Sequence, residues 1–270
     1  MVVERSSCEL PLIDFARLNP HCPEREECMK EIVEAARQWG FFQVVNHGIS
    51  QELLESLQFE LMKVFHRSFH AKTQENFLNL PAKSYRWGNP SAINLRQLSW
   101  SEAFHISFPD ISKMEKHKSL RSKIEAFATT AAHLAETLGE ILAQKLNIKS
   151  GDSSFLTILY QDQVGGLQLL KDGKWVDVKP NPQAVIVNIG DIFQALSNGV
   201  YKSIKHRVVA ADKVERFSVA YFYCPSDDAV IQSNGIPLVY RKFTFREYKQ
   251  QTEKDVKETG DKVGLSRFLS

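Results

Sequence analysis

The sequence predicts an α+β fold, a helical first half followed by an antiparallel β-sandwich or barrel. Three observations carry this. Up to about residue 147 the apolar residues recur at helical spacing. From residue 155 onward they alternate with a period of two. The second half is also cut at short intervals by turn signals: Gly165-Gly166, Asp172-Gly173, Pro180-Asn181-Pro182 and Ser197-Asn198-Gly199.

The elements follow in order. Pro23 and the acidic turn Glu24 to Glu27 suit a helix N-terminus. Cys28, Ile32, Ala35, Ala36 and Trp39 share one face of that helix, and Gly40 ends it. Phe41-Phe42-Gln43-Val44-Val45 reads as a short buried strand, broken by Asn46-His47-Gly48. Ser50 can cap a second helix carrying Leu53, Leu54, Leu57, Leu61, Val64 and Phe65. Residues 71–110 look irregular. Ser112-Lys113-Met114-Glu115 fits a capping box for a long amphipathic helix over 119–147. Candidate strands then cover 155–160, 167–170, 174–178, 184–189, 206–210 and 217–223. Asp172-Gly173 predicts a hairpin. A polar helix is expected within 242–264. The expected divisions are a mixed region over 1–110, a support helix over 111–149, a β-domain over 150–240 and a helical tail over 241–270. A jelly roll needs eight strands, and the second half offers about six, so one or two are missing between Lys149 and Phe155.

The bulk numbers exclude several function classes. Net charge is +2, with 34 basic and 32 acidic residues, too balanced for a nucleic-acid footprint. The Lys-rich stretches 113–123 and 242–262 are interrupted by acids or apolar residues and read as solvated faces. No apolar run reaches the roughly 18 residues of a membrane span, and the first residues lack a signal core. The four cysteines have neither paired nor metal-ligand spacing, which suits a reducing compartment. The expectation is a monomer in the cytoplasm or nucleus, acting on a small molecule.

Arg216-Phe217-Ser218 opens a strand, so Arg216 and Ser218 face one side. Arg offers a planar fork of donors to a carboxylate, and Ser adds a hydroxyl. Alone, Arg216 reads as an arginine paired with a protein acid. Alone, His206 reads as an ordinary core or surface histidine, and Asp152 as an ordinary strand-end acid. Together they suggest a metal site with a carboxylate clamp beside it. Two imidazoles and one carboxylate on one face of the metal is the arrangement of non-haem Fe(II) oxygenases.

The chain resembles the plant 2-oxoglutarate- and Fe(II)-dependent dioxygenases, whose pattern is His-x-Asp, a distant His, then Arg-x-Ser. His206 and Arg216-Phe217-Ser218 match it, as do Leu10 to Phe15, Trp39 to Gly48, Gly165 to Gln168 and Val187 to Asp191. Tyr85 to Pro90 and Trp100 to Ile106 resemble the gibberellin 2-oxidases, in the branch acting on C20 precursors. The resemblance implies a double-stranded β-helix, the cupin-like jelly roll. It implies that His206 and Asp152 bind Fe(II), and that Arg216 and Ser218 hold the far carboxylate of 2-oxoglutarate. O2 would oxidise 2-oxoglutarate to succinate and CO2, ascorbate being an optional addition. Hydroxylation at C2 would inactivate the gibberellin. His47 and His105 fall in family blocks, but their segments precede the barrel, so core or pocket-lining duty is expected of them.

The pattern breaks at one point. Aligning backward from Phe155 puts Ser150 where the first iron histidine belongs. The strand shortage falls at the same place, so one internal deletion explains both. A chain with Ser150 there is expected to bind iron weakly, turn over little and be less stable. Two further readings are an impaired isoform or paralogue that binds without oxidising, and a generic cupin-like metal or sugar binder.

Overall fold

The structure is a computed structural model, and it describes residues 7–74, 77–88, 101–146, 155–211 and 213–270. The first half contains β1 (Ser7–Cys8), β2 (Leu12–Asp14), α1 (Arg25–Gln38), β3 (Phe41–Val45), α2 (Gln51–Phe65) and α3 (Phe69–Thr73). It continues with β4 (Tyr85–Trp87), β5 (Glu102–Phe104), α4 (Phe108–Ile111) and α5 (Lys118–Gln144). The second half contains β6 (Leu156–Gln161), β7 (Leu167–Lys171), β8 (Lys174–Val178), β9 (Val185–Ile189) and α6 (Asp191–Leu196). It closes with β10 (His206–Val208), β11 (Ser218–Tyr223), β12 (Val230–Ile231), β13 (Phe243–Thr244) and α7 (Phe245–Thr259). The chain divides into two compact units. One is Met1–His47, Ala132–Lys254 and Val263–Ser270; the other is Gly48–Ala131 and Asp255–Lys262.

The first unit holds two sheets, of order β1-β8-β7-β10 and β11-β6-β9-β3-β2. Pairs are antiparallel except β1 with β8 and β2 with β3. The inner faces meet in one apolar cluster: Leu167, Leu169 and Val178 from the first sheet, Phe41 and Ile186 from the second, and Leu10 beside them. Leu159 and Val176 pack against it. This is the jelly-roll core that the period-two segments predict, and each strand carries one apolar set inward because successive side chains alternate faces. The opposite face of the second sheet carries Leu156, Ile158, Val185, Val187 and Ile189, also buried. β9 is therefore apolar on both faces, and reads in sequence as a continuous run. Helix α1 packs on β2 and β3, with Cys28, Ile32, Ala35 and Ala36 buried as the helical spacing predicts. It ends at Gly40, at φ +62°, where an added Cβ would overlap the Lys202 carbonyl oxygen.

Among the described residues, β10 pairs only with β7, and β11 only with β6. Among the described residues, each of these two strands therefore has one edge without a partner strand; the stretch where strands are expected to be missing, before Phe155, lies mostly outside the described residues. Burial along β11 is inverted. Ser218, Ala220 and Phe222 on its inner face are exposed, while Val219, Tyr221 and Tyr223 on its outer face are half-buried. All three residues of β10 are exposed. The interior of the roll is thus open to solvent along these two strands.

In the second unit, Ser50 caps α2 by accepting from the Leu53 N–H at 3.2 Å, as its sequence suggests. The two blocks with gibberellin-enzyme resemblance pair with each other there: β4 runs antiparallel to β5, with Tyr85 opposite Phe104 and Trp87 opposite Glu102. Lys72, buried beneath this hairpin, donates to the Phe65 carbonyl at 2.6 Å and pairs with Glu102. A buried ammonium needs such partners.

Several expectations are corrected. Ser112 does not cap the long helix: it closes α4, donating to the Pro109 carbonyl at 2.8 Å, and α5 begins six residues later at Lys118. The span 71–110 is less irregular than it reads, holding β4 and β5, whose pairing is non-local. The β10 strand stops at Val208, short of Ala210. Strands β1 and β2 and helix α6 are too short for periodicity to reveal. The Asp172-Gly173 hairpin forms as predicted, with φ values of +49° and +75°. None of the four cysteines is in a disulfide, and no described helix is long and apolar enough to cross a membrane.

Candidate active site

The ladder registers place the predicted residues. His206 lies opposite Leu169, and Val208 opposite Leu167. Directly opposed residues share a face, and Leu169 and Leu167 point into the core, so His206 does too. Its ring meets Phe41 edge-on at 5.2 Å between centroids. On the other sheet, Ala220 lies opposite Leu159, and Ser218 opposite Gln161. Leu159 packs against the same inner cluster. His206 and the Arg216-Ser218 pair therefore face one interior from opposite sheets.

Arg216 is held by neutral groups. Its Nε donates to the Gly165 carbonyl at 2.6 Å, Nη1 to Ser218 Oγ at 3.0 Å, and Nη2 to Gln161 Oε1 at 3.0 Å. Asp162 acts on it only through space; the carboxylate accepts from the Phe217 N–H at 2.5 Å and the Val164 N–H at 3.0 Å. Burial pushes the guanidinium below its ordinary pKa, and the nearby Asp162 charge opposes that shift. The protein-acid partner expected of a solitary arginine is thus not what holds this one. Gln161 is 5% exposed, and its Nε2 is buried with no hydrogen-bond partner among the described residues. Leaving such a donor unpaired costs about 1–3 kcal/mol, so the cluster is arranged to receive an acceptor. The three kinds of donor gathered here, from guanidinium, amide and hydroxyl, suit a carboxylate.

The turn before β7 sets this geometry. Gly165 and Gly166 have φ of +76° and +89°. Gly165 presents its carbonyl to Arg216, while Gly166 accepts from the Val209 N–H at 2.8 Å. A Cβ on Gly166 would collide with the Val209 carbonyl oxygen. In sequence these glycines read as turn punctuation and as part of a family block, with no sign of their contact to Arg216. Gln161 also escaped notice, although it alternates in phase with Leu159 and so had to share its inner face.

The metal side is different. His206 Nδ1 lies 3.0 Å from the Ile204 carbonyl. A proton on Nδ1 leaves Nε2 as the ligating nitrogen, the tautomer following from that bond. No three His, Cys, Asp or Glu among the described residues converge to hold a metal. Asp152 and Ser150 lie outside the described residues. By sequence, the position that should bring a second imidazole brings a hydroxyl. Among the described residues only His206 of the expected ligands is placed, which is too few donors to hold Fe(II), whereas the carboxylate end has donors that suit a carboxylate. His47 is buried, as expected of a core residue, and burial lowers its pKa. His105 is exposed, contrary to core duty.

Comparison with known proteins agrees with this geometry. The profile of the 2OG-Fe(II) oxygenase superfamily matches residues 144–225, and that of the non-haem dioxygenase in morphine synthesis N-terminal region matches residues 10–125. Gibberellin 2-beta-dioxygenase 8 of Arabidopsis thaliana is 49% identical, covering 97% of this chain and 87% of the relative. Gibberellin 2-beta-dioxygenase 6 of Oryza sativa subsp. japonica is 41% identical, covering 99% and 86%. The crystal structure of JOX2 in complex with 2OG, Fe, and JA superposes with a TM-score of 0.80 at 28% identity, covering 98% and 90%. The Arabidopsis alignment runs over 297 positions but takes in 97% of a 270-residue chain, about 262 residues, so about 35 positions of the relative have no counterpart here. Two interior-facing clusters on opposite sheets, a roll open along two edges and relatives matched almost end to end lead to one assignment: the chain belongs to the 2OG-Fe(II) oxygenase superfamily.

Proposed function

We propose that this chain is a gibberellin 2-oxidase-like protein whose own turnover is impaired. The observation that carries the substrate class is 49% identity, over 97% of the chain, to a gibberellin 2-beta-dioxygenase. In a complete site Fe(II) would supply oxidation of 2-oxoglutarate by O2, coupled to hydroxylation of the gibberellin at C2. Arg216 and Ser218 are the residues that would hold the far carboxylate of 2-oxoglutarate. His206 and Asp152 are the two metal ligands that the sequence retains. The third is replaced by Ser150, and a lost ligand should cost more than the about 10–100-fold typical of losing one of its supporting partners. The roughly 35 unmatched positions are enough for two strands of the usual five to six residues with their connections. We place them before Phe155, where they would close the open edges of β10 and β11 and restore the histidine. The working unit in this reading is a monomer, acting on a small molecule in the cytoplasm.

The test is an Fe(II)- and 2-oxoglutarate-dependent assay on C19 and C20 gibberellins. The chain would be run beside a version with the missing segment rebuilt from the Arabidopsis relative. The rebuilt chain should hydroxylate at C2 while the chain as written gives little product. Comparable turnover by both would overturn the impairment. A folded, rebuilt chain inert on every gibberellin would overturn the substrate.

A further inference from the structure

The clamp and the metal ligands are separable parts, and only one of them is intact. The guanidinium of Arg216 is fixed by Gly165, Ser218 and Gln161, none of which is charged and none of which is a metal ligand. Among the described residues its positive charge meets no carboxylate in a salt bridge, and Asp162 is instead engaged by two backbone N–H groups. Gln161 cannot relieve its orphaned Nε2 by flipping, since its Oε1 already accepts from Arg216. Ser218 and Gln161 stand directly opposite each other across the β6–β11 ladder, and Ser218 is solvent-exposed, so a ligand can reach the cluster.

A full site would select a 2-oxo acid at its other end, by chelation of the 1-carboxylate and the 2-oxo group. That end is the one this chain has lost. We infer that Arg216, Ser218 and Gln161 form a metal-independent carboxylate site that does not distinguish 2-oxoglutarate from plain diacids such as glutarate and succinate. The inference rests on the family reading only for the choice of diacid; the binding chemistry is that of the cluster itself. The product-like diacid would then compete on equal terms with the oxo acid, and the chain would serve as a diacid binder rather than an oxidant.

Isothermal titration of the full chain with 2-oxoglutarate, glutarate and succinate tests this, each in EDTA and in excess Mn(II). All three should bind within about threefold of one another, with no gain from Mn(II). Gln161→Glu places a carboxylate against Arg216, so it should raise the melting temperature while weakening all the diacids by about tenfold or more. Arg216→Gln should weaken them similarly. The Gln161 variant keeps the test valid if Arg216→Gln fails to fold. Tightening of 2-oxoglutarate over glutarate by tenfold or more in Mn(II) would overturn the inference and leave the dioxygenase reading intact. Diacid binding undiminished in a folded Gln161→Glu protein would overturn the location. No binding of any diacid by the folded chain would remove the site, and the hydroxylation assay of the rebuilt chain would still decide the family reading.

Discussion

Gly166→Ala probes the turn on which the clamp depends. The residue sits at φ +89°, where an L side chain costs about 1–2 kcal/mol. The new Cβ would also lie within 3.0 Å of the Val209 carbonyl oxygen, a backbone atom that cannot rotate away. Relief requires the β10 end to move, weakening the 2.8 Å bond from Val209 N–H to the Gly166 carbonyl, worth about 0.5–1.5 kcal/mol. The total is roughly 1.5–3.5 kcal/mol, or ~3–14 °C in melting temperature for a protein of this size. Gly173→Ala is the control. Gly173 has φ +75° but nothing within 4 Å of an added Cβ, so it carries the backbone cost alone, about 1–2 kcal/mol. Chemical and thermal denaturation of both variants measure the difference. Diacid binding should fall for Gly166→Ala, whose Cβ would also touch Arg216 Cδ at 3.8 Å, and stay unchanged for Gly173→Ala. Equal destabilisation by the two substitutions would refute the claim that close backbone approach constrains this turn.

Three other outcomes follow from the same structure. Asp162→Ala should destabilise by roughly 2–5 kcal/mol, because two backbone N–H groups lose their acceptor; Asp162→Asn, keeping one carbonyl oxygen, should lose about half of that in urea unfolding. Burial lowers the pKa of His47, so between that value and the unfolded one the unfolded state binds more protons and stability falls as pH falls. Melting temperatures at pH 7.5 and 5.5 should differ less in His47→Gln than in the parent, and an unchanged difference would rule His47 out as the source. Phe222 is 61% exposed on the open β11 edge, and uncapped, uncharged edges template aggregation. Phe222→Lys should reduce concentration-dependent light scattering without lowering the melting temperature, whereas unaltered scattering would place the sticky surface elsewhere.

The legibility of this chain is uneven for physical reasons. Each of β6, β7, β8, β9 and β11 falls within a residue or so of its alternating segment, because alternation is imposed by the buried inner face. Helices α1 and α2 are equally plain from their apolar stripes, and α2 also from its Ser50 cap. The β4–β5 hairpin is not, since its strands have three residues each and are recognised only through each other. Ser112 misled because a capping-box pattern is local, while the start of α5 is set by where its apolar face can pack.

The sequence by itself determined the alternation that puts Arg216 with Ser218 on one face and the family pattern around His206. Only the tertiary structure decided that His206 and Arg216 look into one interior, that Gln161 and the Gly165 carbonyl share the guanidinium, and that β10 and β11 end their sheets among the described residues. Spacing along a chain fixes which side of its own strand a residue takes. Which other strands that side meets depends on long-range pairing, and a single sequence carries no record of it.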